Sequence, residues 1–183
     1  VSIILIIITF PILLIASIFI WLEDKGPIIY YQIRTGLGGK EFKMAKLRTM
    51  NTFSEKNGAV WASKNDIRIT HVGKILRKTR IDELPQLISV ILGDMSLVGP
   101  RPERPEIEVM LKNNIPFYEL RHVVRPGLSG WAQVNYPYGA SIDDSKNKLS
   151  YDFFYIRNYS FWLDFLIFLK TIKIVTNMKG SNP

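Results

Sequence analysis

The sequence contains no cysteine and only two histidines. A chain without cysteine forms no disulfide, thiolate nucleophile or cysteine zinc site, and two histidines argue against a histidine metal cluster. Charge is also missing from the first 22 residues, although the chain carries a net charge of +8. The positive excess therefore belongs to the residues that follow. A basic domain beside an apolar segment favours an anionic partner, such as a membrane surface, a nucleotide or nucleic acid.

The 183 residues are enough for one domain with a hydrophobic core. We divide the chain into an apolar segment, residues 1–22, and a domain over residues 23–183. Apolar residues at helical spacing dominate the domain, and two short β-like runs lie near its start. The pattern predicts an α+β fold that is mostly helical and contains a small β-hairpin.

The apolar segment, residues 1–22, would reach roughly 30 Å as an α-helix, about the thickness of a bilayer's hydrocarbon core. Pro11 lies in its middle and removes a backbone hydrogen bond, which kinks or breaks a helix. Two paths stay open: a kinked spanning helix, or a re-entrant helix that returns to the same face. Hydropathy alone favours the span, because membrane helices tolerate proline. Trp21 fits an interfacial anchor.

Two β-like runs, residues 27–34 and 40–50, are joined by the glycine-rich residues 35–39. The glycines could cradle a phosphate, but a hairpin turn is the simpler interpretation. Lys46 lies near the end of the second run and adds a cation. After a polar loop over residues 51–66, residues 69–78 have the spacing of a basic amphipathic helix.

An acidic pair, Asp82 and Glu83, follows that basic helix and precedes an apolar run. We predict that Asp82 is the N-cap of a helix, that Pro85 lies in its first turn and that Gly93 ends it. A carboxylate at a helix start stays ionised, and free N–H groups there suit phosphate. The plainer alternative is a capped surface helix with charged flanks.

The loop after this helix reads Gly-Pro-Arg-Pro and contains Arg101. The prolines stiffen the backbone, and a guanidinium suits phosphate oxygens. Together with the acidic pair, this makes a phosphate site plausible without naming a reaction.

The remaining residues predict helices and loops that carry three further candidates for the site. Residues 106–113 and 116–122 have helical spacing, and residues 125–135 form a turn-rich stretch that includes Arg125 and Gln133. Two longer helices follow, over residues 143–158 and after Ser160. The last is either a core helix or one lying in a membrane interface. Its Asp164, among apolar neighbours, either faces solvent or orients a polar group.

Taken in order, these motifs resemble the bacterial sugar transferases, the monotopic phosphoglycosyl transferases that load sugar-1-phosphate onto a polyprenyl-phosphate carrier. The resemblance runs nearly end to end and includes the proline within the apolar segment. It rests on residues 32–36, 46–50, 82–87, 93–96, 99–102, 124–130, 132–134, 151–152 and 163–164. Each motif is weak alone, but all of them in order at compatible spacing are specific.

The resemblance implies a role for each matching position. Asp82 resembles the nucleophile that attacks the sugar-bearing phosphate, and Glu83 a partner associated with Mg²⁺. Lys46, Arg77 and Arg101 match phosphate-contacting cations. Substrate-binding positions also include Arg125 and Gln133, while Asp164 matches an acid tied to activity and Pro11 the turn of a re-entrant helix.

Two departures from the family pattern concern the N-terminal segment. The charged residues that usually precede it are absent, so we expect further residues before Val1. Phe10, not serine, precedes Pro11, so hydroxyl help at the kink is doubtful.

The expected reaction uses a UDP-sugar and polyprenyl phosphate, passes through an aspartyl phospho-sugar and requires Mg²⁺. Membrane lipid is an expected partner, nucleic acid is not, and members of this kind can form homodimers. The family implies the cytoplasmic face of the bacterial inner membrane. Two alternatives remain: a basic membrane-anchored module that binds nucleic acid or acidic lipid without catalysis, and a phosphotransferase with another donor. The first is disfavoured because the chain lacks a compact lysine and arginine tract.

Overall fold

The computed structural model describes residues 2–52, 54, 66–137, 139 and 141–177. The predicted polar loop over residues 51–66 therefore lies mostly outside the described residues. The helices are α1 (Ser2–Asp24), α2 (His71–Thr79), α3 (Leu87–Leu92), α4 (Pro105–Asn114), α5 (Trp131–Asn135), α6 (Ile142–Asn158) and α7 (Phe161–Thr176). The strands are β1 (Ile29–Thr35), β2 (Glu41–Leu47), β3 (Ser96–Val98) and β4 (Gly127–Ser129). The predicted mostly helical fold with a small hairpin is confirmed.

Strands β1 and β2 form the predicted antiparallel hairpin, closed by a 3₁₀ turn over Leu37–Gly39. Gly38 and Gly39 have positive φ angles of 63° and 78°, which glycine adopts without strain. The glycines therefore form the turn, as the simpler interpretation predicted. Because side chains alternate along a strand, Phe42, Met44 and Lys46 share one face of β2. Phe42 and Met44 are buried there.

Helix α1 runs through Pro11 from Ser2 to Asp24, and most of its side chains are exposed. In the described chain it is the one helix long and apolar enough to cross a membrane, judged by length and composition. Proline has no N–H for the carbonyl of Ile7, and the hydroxyl of Thr9 donates to Leu5 O at 2.7 Å instead. The Thr9 hydroxyl therefore bonds Leu5 and Ile6 and not the carbonyl that Pro11 leaves without an N–H. The re-entrant path stays a prediction.

Two contacts attach the C-terminal half of α1 to the domain. Ala16 and Ile20 are buried in a cluster with Leu47 of β2 and Leu76 of α2. At the end of α1, the Glu23 carboxylate accepts a hydrogen bond of 2.7 Å from the His71 backbone N–H. Glu23 therefore caps the start of α2, where backbone N–H groups lack partners in their own helix.

The prediction that Asp82 is a helix N-cap is wrong. Helix α2 ends at Thr79, and the next residue, Arg80, has a left-handed backbone with φ 60° and an N–H that bonds back to the last turn. The chain then enters a 3₁₀ helix, Ile81–Gln86, with Asp82 and Glu83 inside its first turn. Helix α3 follows directly and ends, as predicted, at Gly93 with φ 87°. The left-handed residue turns the chain so that the acidic pair faces inward.

A two-stranded parallel pairing, β3 with β4, lies where the sequence predicted loops. A Cβ atom on Gly99 would lie 2.5 Å from the carbonyl oxygen of Arg125, which no side chain tolerates. Gly127 and Gly130 meet the backbone of Gly99 just as closely. These three glycines allow the Gly-Pro-Arg-Pro loop and the stretch after Arg125 to touch backbone to backbone.

Helices α4 and α6 and the 3₁₀ helix Tyr118–Val123 share a second apolar cluster. Its buried members are Ile107, Leu111, Ile115, Tyr118 and Leu149. Ser160 caps α7 as predicted, and its side chain accepts a hydrogen bond from the Leu163 N–H at 3.3 Å. Most of α7 remains exposed.

Candidate active site

A cavity of about 1010 Å³ lies between the hairpin, the 3₁₀ helix Ile81–Gln86, the loop containing Arg101, and helices α5 and α6. Six of the predicted site residues line it: Lys46, Arg77, Asp82, Glu83, Arg101 and Gln133. These residues are up to 87 positions apart in the sequence, from Lys46 to Gln133. The fold therefore brings the acidic pair, three cations and an amide to one place.

Asp82 is 8% exposed, and its Oδ1 atom is fully buried without a hydrogen-bond partner among the described residues. Burial raises the pKa of Asp82 to about 6, and the adjacent charge of Glu83 adds to that rise. The positive charges of Lys46 and Arg77 act against it. The result is a desolvated carboxylate, on a residue that lines the cavity, with one oxygen that no described hydrogen bond satisfies.

Glu83 has the opposite surroundings, although it is the next residue. Its carboxylate pairs with Arg101 through both oxygens and with Arg80 at 3.3 Å. Burial works to raise the pKa of Glu83, but the charges of Arg101 and Arg80 outweigh it and hold the pKa well below its usual range. Glu83 is therefore a permanent anion that fixes two guanidinium groups beside Asp82.

The inner face of the hairpin supplies the next cations. Tyr30, Gln32 and Arg34 lie opposite Lys46, Met44 and Phe42, so these side chains share one face of the hairpin. The cavity is lined by the four polar ones, Tyr30, Gln32, Arg34 and Lys46. Burial lowers the pKa of Lys46 to about 7, helped by the positive charges of Arg101 and Arg34. The Arg34 guanidinium donates to the carbonyl of Pro102 at 3.0 Å, which ties the hairpin to the Arg101 loop.

Helix α2 contributes Arg77 from its last turn. The Nε of Arg77 donates to the Thr49 hydroxyl at 2.8 Å, and Thr49 is buried just after β2. Gly73, one turn earlier, packs directly on the Thr49 backbone. The position of Arg77 therefore depends on close contact between α2 and the end of β2.

A buried ion pair holds the backbone of Arg101. The guanidinium of Arg121 donates to the Arg101 carbonyl at 2.8 Å, to Asp152 at 2.8 Å and to the Tyr118 hydroxyl at 2.6 Å. Arg121 and Asp152 are 7% and 2% exposed. A buried guanidinium with several partners is rigid, so the pair fixes the loop that presents Arg101 to Glu83.

Three predicted site residues lie away from the cavity. Arg125 is exposed and lies outside the lining, so the fold does not support its predicted contact with phosphate. Asp164 accepts a hydrogen bond of 2.9 Å from the Tyr155 hydroxyl, which favours the second of the two alternatives, that Asp164 orients a polar group. Pro11 lies within α1 and is exposed.

Sequence reasoning missed several residues that line the cavity, chiefly Tyr30, Gln32, Arg34, Arg121 and Asp152. The hairpin residues had a usable signal. Polar residues stand at alternate positions of β1, opposite the buried apolar residues of β2, where a core-facing pattern would place apolar groups. The Arg121–Asp152 pair joins residues 31 positions apart, and although Asp152 belongs to a motif of the resemblance, no local pattern indicates its partner.

Magnesium fits this donor set only in part. No group of three or more histidine, aspartate or glutamate side chains within the described ranges could hold a metal ion. Both oxygens of Glu83 already accept hydrogen bonds from guanidinium groups, whereas Asp82 Oδ1 is free. Protein sites often hold Mg²⁺ by one or two carboxylates and complete its shell with substrate phosphate oxygens and water. Asp82 and Glu83 therefore allow a magnesium site only if substrate phosphate oxygens and water supply the other ligands.

Comparison with known proteins identifies a family and several relatives. Residues 1–178 match the bacterial sugar transferase family. A UDP-N-acetylgalactosamine-undecaprenyl-phosphate N-acetylgalactosaminephosphotransferase of Aeromonas hydrophila is 48% identical over 93% of this chain. UDP-glucose:undecaprenyl-phosphate glucose-1-phosphate transferases of Klebsiella pneumoniae and Caulobacter vibrioides are 42% and 43% identical over 93% and 88% of it.

The chain spans 40%, 37% and 61% of the lengths of these three relatives. The matched part nevertheless includes the whole cavity, since its lining residues lie between Pro27 and Ile174. By this match, and by the motifs that meet in one cavity, the chain belongs to the bacterial sugar transferase family.

Proposed function

We propose that this chain transfers a sugar-1-phosphate from a UDP-sugar to undecaprenyl phosphate and releases UMP. The observation that carries the proposal is the buried Asp82 carboxylate, which has an oxygen without a described partner and lines the same cavity as Lys46, Arg77 and Arg101. The names of the relatives describe the same overall reaction with different sugars.

In the first half-reaction, an Asp82 oxygen attacks the phosphorus that bears the sugar. The bond from this phosphorus to the oxygen shared with UMP breaks, UMP leaves with the electron pair, and an aspartyl phospho-sugar remains. A carboxylate approaching a diphosphate brings anions together, so the positive charges of Lys46, Arg77 and Arg101 are needed to stabilise the transition state.

In the second half-reaction, a phosphate oxygen of the polyprenyl carrier attacks the same phosphorus. The bond to Asp82 breaks, the carboxylate is regenerated and the carrier leaves with the sugar phosphate. Two successive displacements at one phosphorus predict ping-pong kinetics.

Mg²⁺ is part of the proposal as the cofactor, with Glu83 as its protein ligand beside Asp82. When bound, the ion would neutralise charge on the diphosphate oxygens. Glu83 would have to exchange one guanidinium partner to take this role. We expect chelation with EDTA to stop UMP release and added Mg²⁺ to restore it. UMP release that continues unchanged in EDTA would contradict the metal requirement.

The exposed apolar helices support a membrane interface as the place of the proposed reaction. One substrate is water-soluble and the other lies in a bilayer, so a site at the membrane interface reaches both. We extend the proposal to the cytoplasmic face of the bacterial inner membrane, to a re-entrant α1 and to a homodimer. We also propose that the reaction starts assembly of an exopolysaccharide, a lipopolysaccharide O-antigen or another glycoconjugate.

The direct test is Asp82→Asn, which keeps the shape of the side chain and removes the nucleophile. We expect UMP release to fall at least about 1000-fold, a loss typical of removing a nucleophile. Asp94→Asn is the matched control, because Asp94 is an exposed acid outside the cavity lining. Near-normal UMP release by Asp82→Asn would contradict the assignment and favour a binding module.

A further inference from the structure

Gln133 lines the cavity, and its side-chain amide is held in one orientation. Its Nε2 donates to the carbonyl of Leu128 at 3.3 Å, which fixes the orientation of the amide. The Oε1 atom is fully buried and has no hydrogen-bond partner within the described part of the chain. Turning the amide over would place two oxygens against each other at Leu128. A buried acceptor without a partner is costly, so such an atom on a residue that lines the cavity indicates a donor that arrives with the ligand.

The element that carries Gln133 is rigidly held. Helix α5 is tied to α6 by stacking of Trp131 on Phe154, with ring centroids 5.5 Å apart. It is tied to α7 by Lys170, whose ammonium donates to Asn135 at 2.5 Å. The absence of a side chain at Gly130 avoids a close contact with the amide, because a Cβ atom there would lie 3.2 Å from Oε1. The acceptor is therefore pre-positioned.

We propose that Oε1 of Gln133 accepts a hydrogen bond from an uncharged N–H or O–H group of the nucleotide-sugar, and so helps to select the donor substrate. This inference rests on the proposed function, since the ligand is its donor. It also revises the sequence-based expectation for Gln133: an amide oxygen accepts and cannot donate to phosphate, and the amide N–H₂ is turned to Leu128.

Three parts of a UDP-sugar carry such donors. The uracil ring has an imide N–H, which cytosine lacks, the ribose has hydroxyl groups that UMP and CMP share, and the sugar has hydroxyl or acetamido groups. UMP contains the base and the ribose without the sugar, so it separates the sugar from the other two sources. CMP is the matched ligand without the imide N–H.

The test measures equilibrium binding of UMP, CMP, UDP-N-acetylgalactosamine and UDP-glucose by calorimetry. The full chain is used in lipid nanodiscs and carries Asp82→Asn, so that no turnover occurs. Gln133→Met keeps the length of the side chain and removes the acceptor. Ser129→Ala is the control, because it removes a hydrogen bond of the same loop, to Thr171 at 2.6 Å, from a residue outside the cavity lining.

We expect Gln133→Met to weaken binding about tenfold, as for a lost buried hydrogen bond. Weaker UMP binding with unchanged CMP binding identifies uracil as the source, and equal weakening of UMP and CMP identifies the ribose. Weaker binding of UDP-sugar alone identifies the sugar. Unchanged affinities for UMP and both UDP-sugars would overturn the inference, and so would an equal loss in Ser129→Ala. Failure of the wild-type chain to release UMP, with binding intact, would count against the proposed function alone.

Discussion

At the scale of single residues, the acidic pair separates into two roles because its members have different partners. Glu83 is bonded by two arginines, whereas Asp82 keeps an oxygen without a partner among the residues described. The pKa of Asp82 is raised to about 6, and the pKa of Glu83 is held below its usual range. Two neighbouring acids whose pKa values are driven apart are typical of a site with distinct chemical roles.

The raised pKa of Asp82 predicts that its ionised form destabilises the folded chain. A rise from 3.8 to about 6 corresponds to on the order of 2–3 kcal/mol of unfolding free energy, lost as pH rises through this range. Asp82→Asn removes this cost. We therefore expect its Tm in detergent to exceed the wild-type Tm by roughly 5 °C at about pH 7.5.

The pH dependence of the Tm gain in Asp82→Asn provides a check on this prediction. Below about pH 4 the acid is protonated in both the folded and unfolded chain, so the gain in Tm should shrink there. Asp94→Asn, at an exposed acid, should leave Tm nearly unchanged at either pH. A lower Tm for Asp82→Asn at neutral pH would mean that the ionised carboxylate stabilises the fold.

The pKa values of Asp82 and Lys46 predict the pH dependence of catalysis. Protonated Asp82 is not a nucleophile, so kcat/KM for UMP release should fall below about pH 6. Lys46 loses its positive charge above about pH 7, and activity should decline there as well. In Lys46→Arg, which stays charged, we expect a lower rate but no decline on the alkaline side. A flat wild-type profile between pH values of about 5 and 9 would contradict both assignments.

The sequence predicts much of the chemistry at this scale and less of the geometry. Motif resemblance placed Asp82, Glu83, Lys46, Arg77 and Arg101 in the site, and the fold brings them together in one cavity. It did not show that Arg80 adopts a left-handed backbone, which moves Asp82 from an N-cap into a 3₁₀ helix. Helix-cap preferences are local, whereas this turn depends on packing between α2 and the following segment.

At the scale of elements, the cavity depends on close contact between α2 and the end of β2. Gly73 lies against the Thr49 backbone, and Arg77, one turn later, bonds the Thr49 hydroxyl. A side chain at position 73 would push α2 away from the strand. The contact therefore sets the distance between Arg77 and the acidic pair.

Gly73→Ala adds only one methyl group, but we expect it to reduce activity strongly. The added Cβ meets rigid backbone, which costs about 1–3 kcal/mol by overpacking. We expect kcat for UMP release to fall at least about tenfold because Arg77 moves. Lys74→Ala, at an exposed position of the same helix, is the control. Wild-type kcat in Gly73→Ala would show that Arg77 need not be held this closely.

Elements with a strong local pattern were predicted, and those set by distant contacts were not. The hairpin, helices α2, α4, α6 and α7, and the end of α3 follow from alternation, apolar spacing, a serine cap or a glycine stop. Strands β3 and β4 have three residues each and pair across 31 positions, from Ser96 to Gly127. Their signal is the three glycines that permit the close approach, and a local pattern cannot reveal which backbone each glycine meets.

At the scale of the whole molecule, exposed apolar side chains are concentrated on α1, α3 and α7. Helices α1 and α3 pack together, and α7 contacts α2 and the β3–β4 pair. The last helix alone exposes Phe161, Trp162, Phe165, Leu166, Phe168, Leu169 and Ile172. Apolar surface of this extent marks a contact with a membrane or another protein. We favour the membrane because the proposed acceptor is a lipid.

This arrangement predicts different effects on the two half-reactions. Phe165→Ser with Leu169→Ser should slow transfer to polyprenyl phosphate several-fold in vesicles, because the domain is held less closely at the interface. UMP release without acceptor should change little, since these residues lie outside the cavity lining. The matched control is Val109→Ser with Met110→Ser on α4, which are also exposed. Equal slowing of both half-reactions would contradict membrane docking through α7.

The central claim, that Asp82 becomes covalently bonded to a sugar phosphate, is tested most directly by intact-protein mass spectrometry. The full chain is incubated with a UDP-sugar and Mg²⁺ in the absence of polyprenyl phosphate. We predict a mass increase of one sugar phosphate, located on the peptide that contains Asp82, absent in Asp82→Asn and lost when the acceptor is added. UMP release without any such adduct, or an adduct that persists in Asp82→Asn, would contradict the account.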